Sequence, residues 1–500
     1  MNRRRFLKLG AVAAVGAGLR QPQAAAAPAV LPEPAVSKLP RWRGFNLLEK
    51  FTLSENRPFA EQDFAWLAGW GFNFVRLPMD YRCWAKSPDA DFDETVLREI
   101  DQAVAWGGQY GVHVSMNFHR GPGYCVNPPK EKGDLWTDPT IQKEFARHWG
   151  VFAKRYLGTP SRQLSFDLIN EPPDIPGAKY AEALKPAVET IANADPERLI
   201  IGEGLAWGGK PVDELIPLGI AQSTHSYEPI ELTHYRASWI AGSDKFPLPR
   251  WPVPAGMNCF LYGPDKADFK SALTLEVECP APATFSIHID HVSSHAGLVV
   301  KADGVIILQH ALTPGPGAGE WVKSVANAYG GYDADYDRDY SASIPAGTRE
   351  IELGLDQGDW LTFSAIRIGD VTIQPVSRKW GQKQEAFVVN ADGAHPVKMR
   401  YACSKETLWE EHVNPWRELA AKGIGVHVGE WGVFNRTPHD VAIAWMRDCL
   451  DNWRAAGFGW ALWNFRGSFG VLDSDREDVN YENFQGHKLD RQMLELLRTG

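Results

Sequence analysis

Two glutamates of this chain each follow a short apolar run and sit in a short motif. Glu171 is the centre of an Asn-Glu-Pro sequence at 170–172, and Glu430 lies in a Gly-Glu-Trp-Gly sequence at 429–432. A pair of carboxyl groups at one site can cleave an acetal, because one protonates the leaving oxygen while the other attacks the carbon. We therefore take Glu171 and Glu430 as a candidate acid and nucleophile.

Other polar and aromatic residues also stand at the ends of apolar runs. They are Arg76, His119, Asn170, Glu203, His225, Tyr227 and Trp463. A fixed positive charge such as that of Arg76 favours the ionised form of a nearby carboxyl group. Glu203 is a third carboxylate, which we expect to be structural or to line a binding site. Trp136 and Trp207 could present ring faces to a sugar or serve only as packing.

Eight apolar runs, separated by helical patterns, must position these residues. The runs cover 43–48, 72–77, 112–119, 164–170, 198–202, 221–227, 425–429 and 457–465. Continuous apolar runs are typical of parallel strands that are buried on both faces. Eight strand–helix units predict an α/β fold, the (β/α)8 TIM barrel, in which the strand ends meet at one rim. A doubly wound sheet is the alternative, but no glycine-rich phosphate loop follows the first strand.

The segment between the sixth and seventh runs has a different pattern. From 256 to 375, apolar and polar residues alternate in short stretches such as 273–277, 285–289 and 351–355, with Gly, Pro and Asp between them. Period-two alternation with frequent turn residues predicts a β-sandwich. We therefore expect a β-sandwich domain inserted after barrel strand six, between barrel parts at 41–250 and 400–500.

The first 27 residues have the composition of a targeting signal. Basic residues, with adjacent arginines, lie at 3–8, an apolar run follows at 9–19, and alanines stand at 24–27. The apolar run is too short to span a bilayer, so the segment resembles a twin-arginine signal peptide and predicts an exported, periplasmic or extracellular protein. A disordered basic tail is the alternative. Residues 28–40 would form a linker.

Composition limits the classes of partner. The chain has 500 residues and a formal net charge of −10. An acidic chain is a poor partner for nucleic acid or an anionic membrane, and we expect neither. Six cysteines are too few for a disulfide scaffold. An oxidising compartment would still permit pairs, with these candidates: Cys83 with Cys125, Cys259 with Cys279, and Cys403 with Cys449.

The ordered set of site residues resembles glycoside hydrolase family 5, in the clan of (β/α)8 retaining glycosidases. The resemblance rests on Arg76, His119, the Asn-Glu-Pro sequence at 170–172, His225 with Tyr227, Glu430 and Trp463. It covers about 40–235 and 400–500 and leaves out the insertion. The insertion itself resembles a carbohydrate-binding module in size and pattern. Its position beside His225 and Tyr227 departs from the plain family pattern.

The resemblance implies roles for the residues around the two glutamates. Glu171 would be the general acid/base and Glu430 the nucleophile. Arg76 would hold Glu430 ionised and Tyr227 would donate a hydrogen bond to it. Asn170 would bind the sugar 2-hydroxyl.

The resemblance implies supporting roles for three further residues. His119 and His225 would orient sugar hydroxyls and the acid/base, and Trp463 would lie under the reacting ring. No metal or cofactor is implied. The aspartate-rich stretch at 333–339 lacks the Gly and Glu that an EF-hand loop requires.

The implied activity is hydrolysis of β-linked glycans with retention, by a monomer that acts on a poly- or oligosaccharide. A β-glucan such as cellulose is the first expectation, and a mannan or another hemicellulose is the second. Two alternatives stay open: a non-catalytic glycan-binding barrel protein, and a transglycosylase that uses the same site.

Overall fold

Eight parallel strands pair side by side in a closed barrel. The structure is a computed structural model, which describes residues 31–254, 256–328, 330–384, 386–390, 393–396 and 401–500. The barrel strands are β1 Arg43–Asn46, β2 Phe74–Asp80, β3 His113–Gly121, β4 Leu164–Asp167, β5 Leu199–Glu203, β6 Ala221–Ser226, β7 Val426–Trp431 and β8 Gly459–Leu462. Each pairs with the next in chain order, and β8 pairs with β1. The predicted barrel is confirmed, while the predicted signal at 1–27 lies outside the described residues.

Helices connect the barrel strands along the outside. The longer ones are α1 Glu61–Gly69, α2 Glu94–Tyr110, α3 Pro139–Arg155, α4 Gly177–Ala194, α5 Asn414–Ala421, α6 His439–Ala456 and α7 Arg491–Thr499. Helix α2 shows why these segments fold as they do. The side chain of Asp93 caps its first turn by accepting the N–H of Thr95, and Gly111 ends it with φ 68°, a left-handed conformation that glycine adopts without steric cost.

Shorter elements complete the described chain around the barrel. Single helical turns cover Leu205–Gly208, Ile230–Thr233 and Lys405–Leu408. A two-residue strand, Tyr124–Cys125, pairs antiparallel with the end of β3, and a small hairpin joins Glu482–Phe484 with His487–Leu489.

A second sheet of ten strands lies between β6 and β7 in chain order. Its strands are Phe260–Tyr262, Leu273–Glu276, Ala283–Ala302, Val305–Leu312, Lys323–Ala326, Tyr332–Ile344, Glu350–Ile368, Val371–Ile373, Ala386–Asn390 and Gly393–Pro396. The sheet therefore runs past the predicted end at 375, because Ala386–Asn390 pairs in parallel with Leu273–Glu276. A β-rich part after β6 is confirmed, and the exact domain boundaries stay a prediction.

Two long strands, Ala283–Ala302 and Glu350–Ile368, extend through both halves of this sheet. The first half of Ala283–Ala302 pairs with Tyr332–Ile344, and its second half pairs with Val305–Leu312. Glu350–Ile368 follows it along both halves, and the register shifts between Ser293 and Ala296. Bulged strands that pass from one layer to another are how sandwiches make corners. Apolar side chains of both halves meet in one buried cluster.

The chain leaves and re-enters the barrel through one short antiparallel pair. Val253–Pro254 pairs with Tyr401–Cys403. All six cysteines are among the described residues, and each is a free thiol. The three candidate disulfides are therefore not formed in this structure. Among the helices that the structure describes, none has the length and apolarity needed to cross a membrane.

Candidate active site

The rim of the barrel brings Glu171 and Glu430 together. Glu430 lies on β7, and Glu171 follows the end of β4. One oxygen of each carboxyl group and one ring nitrogen of His225 all lie within 4.8 Å of one another. Carboxyl oxygens this close can both reach one anomeric carbon and its leaving oxygen, as in retaining sites, whose carboxyl groups are about 5–5.5 Å apart.

Arg76, on β2, is buried at the centre of the site. Its guanidinium donates hydrogen bonds to five side chains. Nε donates to Asp167 (2.9 Å), Nη1 to Asn46 (3.0 Å) and Glu430 (3.0 Å), and Nη2 to Asn170 (2.7 Å) and Glu203 (2.6 Å). Burial acts to lower the pKa of Arg76, but the neighbouring carboxylates have the larger combined effect and raise the pKa above its usual value. The site therefore contains a permanent positive charge.

Glu430 is held by two donors. Arg76 Nη1 donates to Oε2, and the hydroxyl of Tyr227 donates to Oε1 at 2.9 Å. Burial and the neighbouring Glu171 and Glu203 raise the pKa of Glu430 to about 7, although the charges of His225 and Arg76 act to lower it. The two donors favour the ionised form, which is the form that can act as a nucleophile.

Glu171 has an unusual backbone conformation and a more open side chain. Its φ is 48°, a left-handed value that is uncommon for a residue other than glycine. Its N–H donates to Glu203 Oε2 at 2.7 Å, and its carbonyl accepts from the Tyr124 hydroxyl at 2.6 Å. Its side chain is 17% exposed, against 6% for Glu430. Glu171 is thus the carboxyl group that a leaving group can reach from solvent.

His225 lies between two carboxyl groups. Its Nδ1 is 3.0 Å from Glu171 Oε1, and its Nε2 is 3.3 Å from Glu203 Oε2. Burial lowers the pKa of His225, but Glu203 and Glu430 raise it well above its usual value. The charged ring therefore carries a proton on each nitrogen: Nδ1 donates to Glu171, and Nε2 faces Glu203 as an ion pair without hydrogen-bond geometry.

His119 and Trp463 form another wall of the site. Their rings are stacked with centroids 6.0 Å apart, and both contact Phe51. His119 Nε2 lies 2.6 Å from Asn127 Oδ1. Burial lowers the pKa of His119 to about 4, so the ring is neutral. Its Nδ1 is buried without a hydrogen-bond partner among the described residues, and can accept from a ligand hydroxyl.

All eight predicted site residues meet at this rim, and the structure adds several that sequence reasoning missed. These are Asn46, Asn117, Tyr124, Asn127 and Asp167. Asp167 had one available signal, because a charged residue inside an apolar strand needs a partner of opposite charge. Glu203 is fully buried, so it does not line the cleft.

The two loop tryptophans separate into the two roles considered for them. Trp136 is buried against Tyr124 and Tyr180, with centroids 4.8 and 5.7 Å away, so it serves as packing. The Trp207 side chain is exposed (55% for the residue), and the backbone N–H of Trp207 donates to the carbonyl of Pro172, beside the acid/base candidate. Trp207 is therefore available to a ligand.

Comparisons with known proteins agree with this geometry. Residues 35–247 match the family model described as Cellulase (glycosyl hydrolase family 5). Endoglucanase C of Acetivibrio thermocellus is 30% identical over 187 residues, which are 36% of this chain and 53% of that protein. Cellodextrinase A of Ruminococcus flavefaciens is 26% identical over 188 residues, 36% of this chain and 54% of that protein. The chain thus spans about half the length of these curated relatives.

Solved structures extend the similarity over most of the chain. A crystal structure of a glycoside hydrolase has a TM-score of 0.59 and 28% identity, and the match covers 92% of this chain and 99% of the other. Thermotoga maritima Cel5A in complex with cellobiose has a TM-score of 0.52 and 17% identity over 93% and 99%, and shows the same fold. Fold and site together resemble those of (β/α)8 glycoside hydrolases. The barrel of this chain is similar to glycoside hydrolase family 5 over residues 35–247.

Proposed function

We propose that the protein hydrolyses β-linked glucans with retention of configuration, by double displacement between Glu430 and Glu171. The observation that carries the proposal is the short distance between the two carboxyl groups, whose nearest oxygens lie within 4.8 Å. One sugar ring fits over the pair, so the nucleophile can reach the anomeric carbon while the acid reaches the leaving oxygen.

The first displacement forms a covalent glycosyl-enzyme. Ionised Glu430 attacks the anomeric carbon, the bond to the leaving oxygen breaks, and Glu171 gives its proton to that oxygen. Arg76 and Tyr227 hold the attacking carboxylate in place through their hydrogen bonds. Asn170, whose Oδ1 is fixed by Arg76, has a buried Nδ2 without a hydrogen-bond partner among the described residues, and this amide can donate to the sugar 2-hydroxyl.

The second displacement releases the sugar. Glu171, now a carboxylate, takes a proton from a water molecule whose oxygen attacks the anomeric carbon. The ester bond to Glu430 breaks, and both glutamates return to their initial states. Because each displacement inverts the carbon, the product retains the β configuration.

A β-1,4-glucan or a related β-glucan is the substrate class that we propose first. The curated relatives are named as endoglucanases and a cellodextrinase. Exposed Trp207 lies beside the loop of Glu171, where its ring can contact a sugar on the leaving-group side. A mannan or another hemicellulose is the second class.

We also propose three properties of the whole chain. The arginine-rich start and the apolar run at 9–19 support export through the twin-arginine route, and a polymeric substrate outside the cytoplasm agrees with it. The inserted sheet carries partly exposed aromatic rings, which support a second contact with glycan. We propose that the protein acts as a monomer.

Glucan hydrolysis is tested by reducing-sugar release on β-glucans, mannans and xylans. We expect release by the wild-type chain and by Glu182→Ala, whose side chain is exposed on α4, and none by Glu430→Ala. Nuclear magnetic resonance of the first product should show the β anomer. Binding without release would instead indicate a glycan-binding barrel, products longer than the substrate would indicate a transglycosylase, and a first product of α configuration would contradict double displacement.

A further inference from the structure

Glu203, the last residue of β5, is a fully buried carboxylate that the proposed mechanism does not use. Its Oε1 accepts from Arg76 Nη2 at 2.6 Å and from Asn117 Nδ2 at 3.3 Å. Its Oε2 accepts the backbone N–H of Glu171 at 2.7 Å and lies 3.3 Å from His225 Nε2. One side chain thus touches the backbone of the acid/base and the histidine that holds its carboxyl group.

We propose that Glu203 is a positioning residue that fixes Glu171 for proton donation to the leaving group. The inference rests on the proposed function, because it assumes that Glu171 is the acid/base. Glu203 reaches no substrate, since it is buried beneath the rim, and acts only through Glu171 and His225.

The backbone of Glu171 supplies the first argument. A left-handed φ of 48° costs free energy in a residue with a Cβ, and such conformations persist only where the surroundings hold them. Glu203 accepts the N–H of this residue, and the Tyr124 hydroxyl donates to its carbonyl. Both polar groups of one peptide residue are therefore held by side chains rather than by the regular ladder of a strand or helix.

The side chain of Glu171 supplies the second argument. Glu203 and Glu171 each face one nitrogen of the same His225 ring. The Glu203 anion favours a proton on Nε2, and Nδ1 makes its hydrogen bond to Glu171, so the ring cannot turn without losing a buried contact. Glu203 therefore fixes the orientation of the His225 ring, and the ring in turn fixes the carboxyl group of Glu171.

The charges around Arg76 agree with an anionic Glu203. Burial raises the pKa of this carboxyl, but His225 and Arg76 lower it to about 2. Two cations, Arg76 and His225, face more carboxyl groups than they can neutralise: Asp167, Glu171, Glu203 and Glu430. Because like charges in a small buried space cannot all be ionised together, the cluster as a whole favours retention of a proton.

Asp167 offers a matched comparison within the same cluster. It is also buried, lies at the end of β4 and accepts from Arg76 Nε at 2.9 Å. Among the described residues, its side chain makes no hydrogen bond to Glu171 or His225. Loss of either carboxylate removes a hydrogen-bond acceptor of Arg76, which in turn binds Glu430. Only loss of Glu203 also removes the acceptor of the Glu171 N–H.

The experiment compares Glu203→Gln with Asp167→Asn on two substrates. Cello-oligosaccharides need protonation of a poor leaving group, and a dinitrophenyl β-cellobioside does not. Since general acid catalysis contributes about 10²–10⁴-fold, we expect Glu203→Gln to lower kcat on the oligosaccharide at least about tenfold more than on the aryl glycoside. Asp167→Asn should lower kcat on both by the same factor. Wild-type turnover of either substrate tests the proposed function separately.

Equal losses on the two substrates for a folded Glu203→Gln, or no loss, would overturn the inference. Glu203→Asp keeps the negative charge but has a shorter side chain. It should therefore also lower kcat more on the oligosaccharide than on the aryl glycoside. If neither variant folds, as judged by circular dichroism and cooperative unfolding, Glu203 has a structural role alone and the inference is wrong.

Discussion

At the scale of single residues, burial and hydrogen bonds give two glutamates different tasks. Glu430 is enclosed and receives hydrogen bonds from a guanidinium and a phenol. Glu171 is more exposed and faces a protonated histidine. One environment suits an attacking anion and the other suits a group that exchanges a proton with the cleft, as the proposed double displacement requires of its two glutamates.

Tyr227→Phe should shift the acidic limb of the pH profile of kcat/KM upward. Activity is lost as the pH falls through the pKa of Glu430, because the protonated form cannot attack. Burial already raises that pKa, and loss of a donor to the anion raises it further. A hydrogen bond to a charged group contributes about 1.5–3 kcal/mol, so we expect a shift of about one pH unit.

Tyr124→Phe is the matched control for this measurement. Its hydroxyl donates to the backbone carbonyl of Glu171 and not to Glu430, so the acidic limb should keep its position. An unchanged limb in Tyr227→Phe would show that the phenol does not stabilise the ionised nucleophile.

At the scale of elements, the barrel was predictable from sequence and much of the site was not. The eight strands were found because parallel strands buried on both faces are continuous apolar runs, and residues at their ends could be assigned to one rim. Asn46 and Asp167 were missed because they lie inside the predicted apolar runs 43–48 and 164–170, although they end β1 and β4 in the structure. Their contacts with Arg76 join β1, β2 and β4 across the barrel, and a linear sequence does not show which strands face each other.

The burial of Glu203 and Trp136 also could not be predicted from the sequence. Glu203 follows a predicted strand and Trp136 falls in a predicted rim loop, and at both places either exposure or burial was open. Neighbouring strands and loops decide between them, since Tyr180 packs on Trp136 and Arg76 binds Glu203. The left-handed backbone of Glu171 likewise depends on side chains from other elements.

The inserted sheet presents an aromatic cluster that should bind glycan. Trp380 is 48% exposed, and its ring stands nearly perpendicular to Phe260 and Trp360 at 5.4 and 5.5 Å. We expect Trp380→Ala to weaken retention on insoluble β-glucan about tenfold, or about 1.4 kcal/mol, because an aromatic ring contributes a large apolar contact. Turnover of a short soluble substrate should not change. Affinity electrophoresis and pull-down measure the effect.

Val305→Ala provides the control for this surface. Val305 is 68% exposed on another strand of the same sheet, and its loss should leave retention unchanged. Equal retention of wild type and Trp380→Ala would instead leave the inserted sheet as a wall that limits access to the cleft.

At the scale of the whole molecule, the proposed route to the cell exterior depends on the first residues of the chain. Replacing the three arginines at 3–5 by lysine keeps the charge but removes the pair that a twin-arginine signal requires. We expect glucanase activity in a bacterial host to move from the periplasmic or medium fraction to the cytoplasm. Arg20→Lys, in the same segment but away from the pair, should be exported normally. Unchanged export of the triple variant would contradict the route.

The six free thiols have a consequence for where this protein can be made. A chain that closes no covalent cross-link needs no oxidant or isomerase to reach its native state, and its stability comes from packing, hydrogen bonds and ion pairs alone. It can therefore finish folding in a reducing compartment, which agrees with the proposed export of an already folded chain.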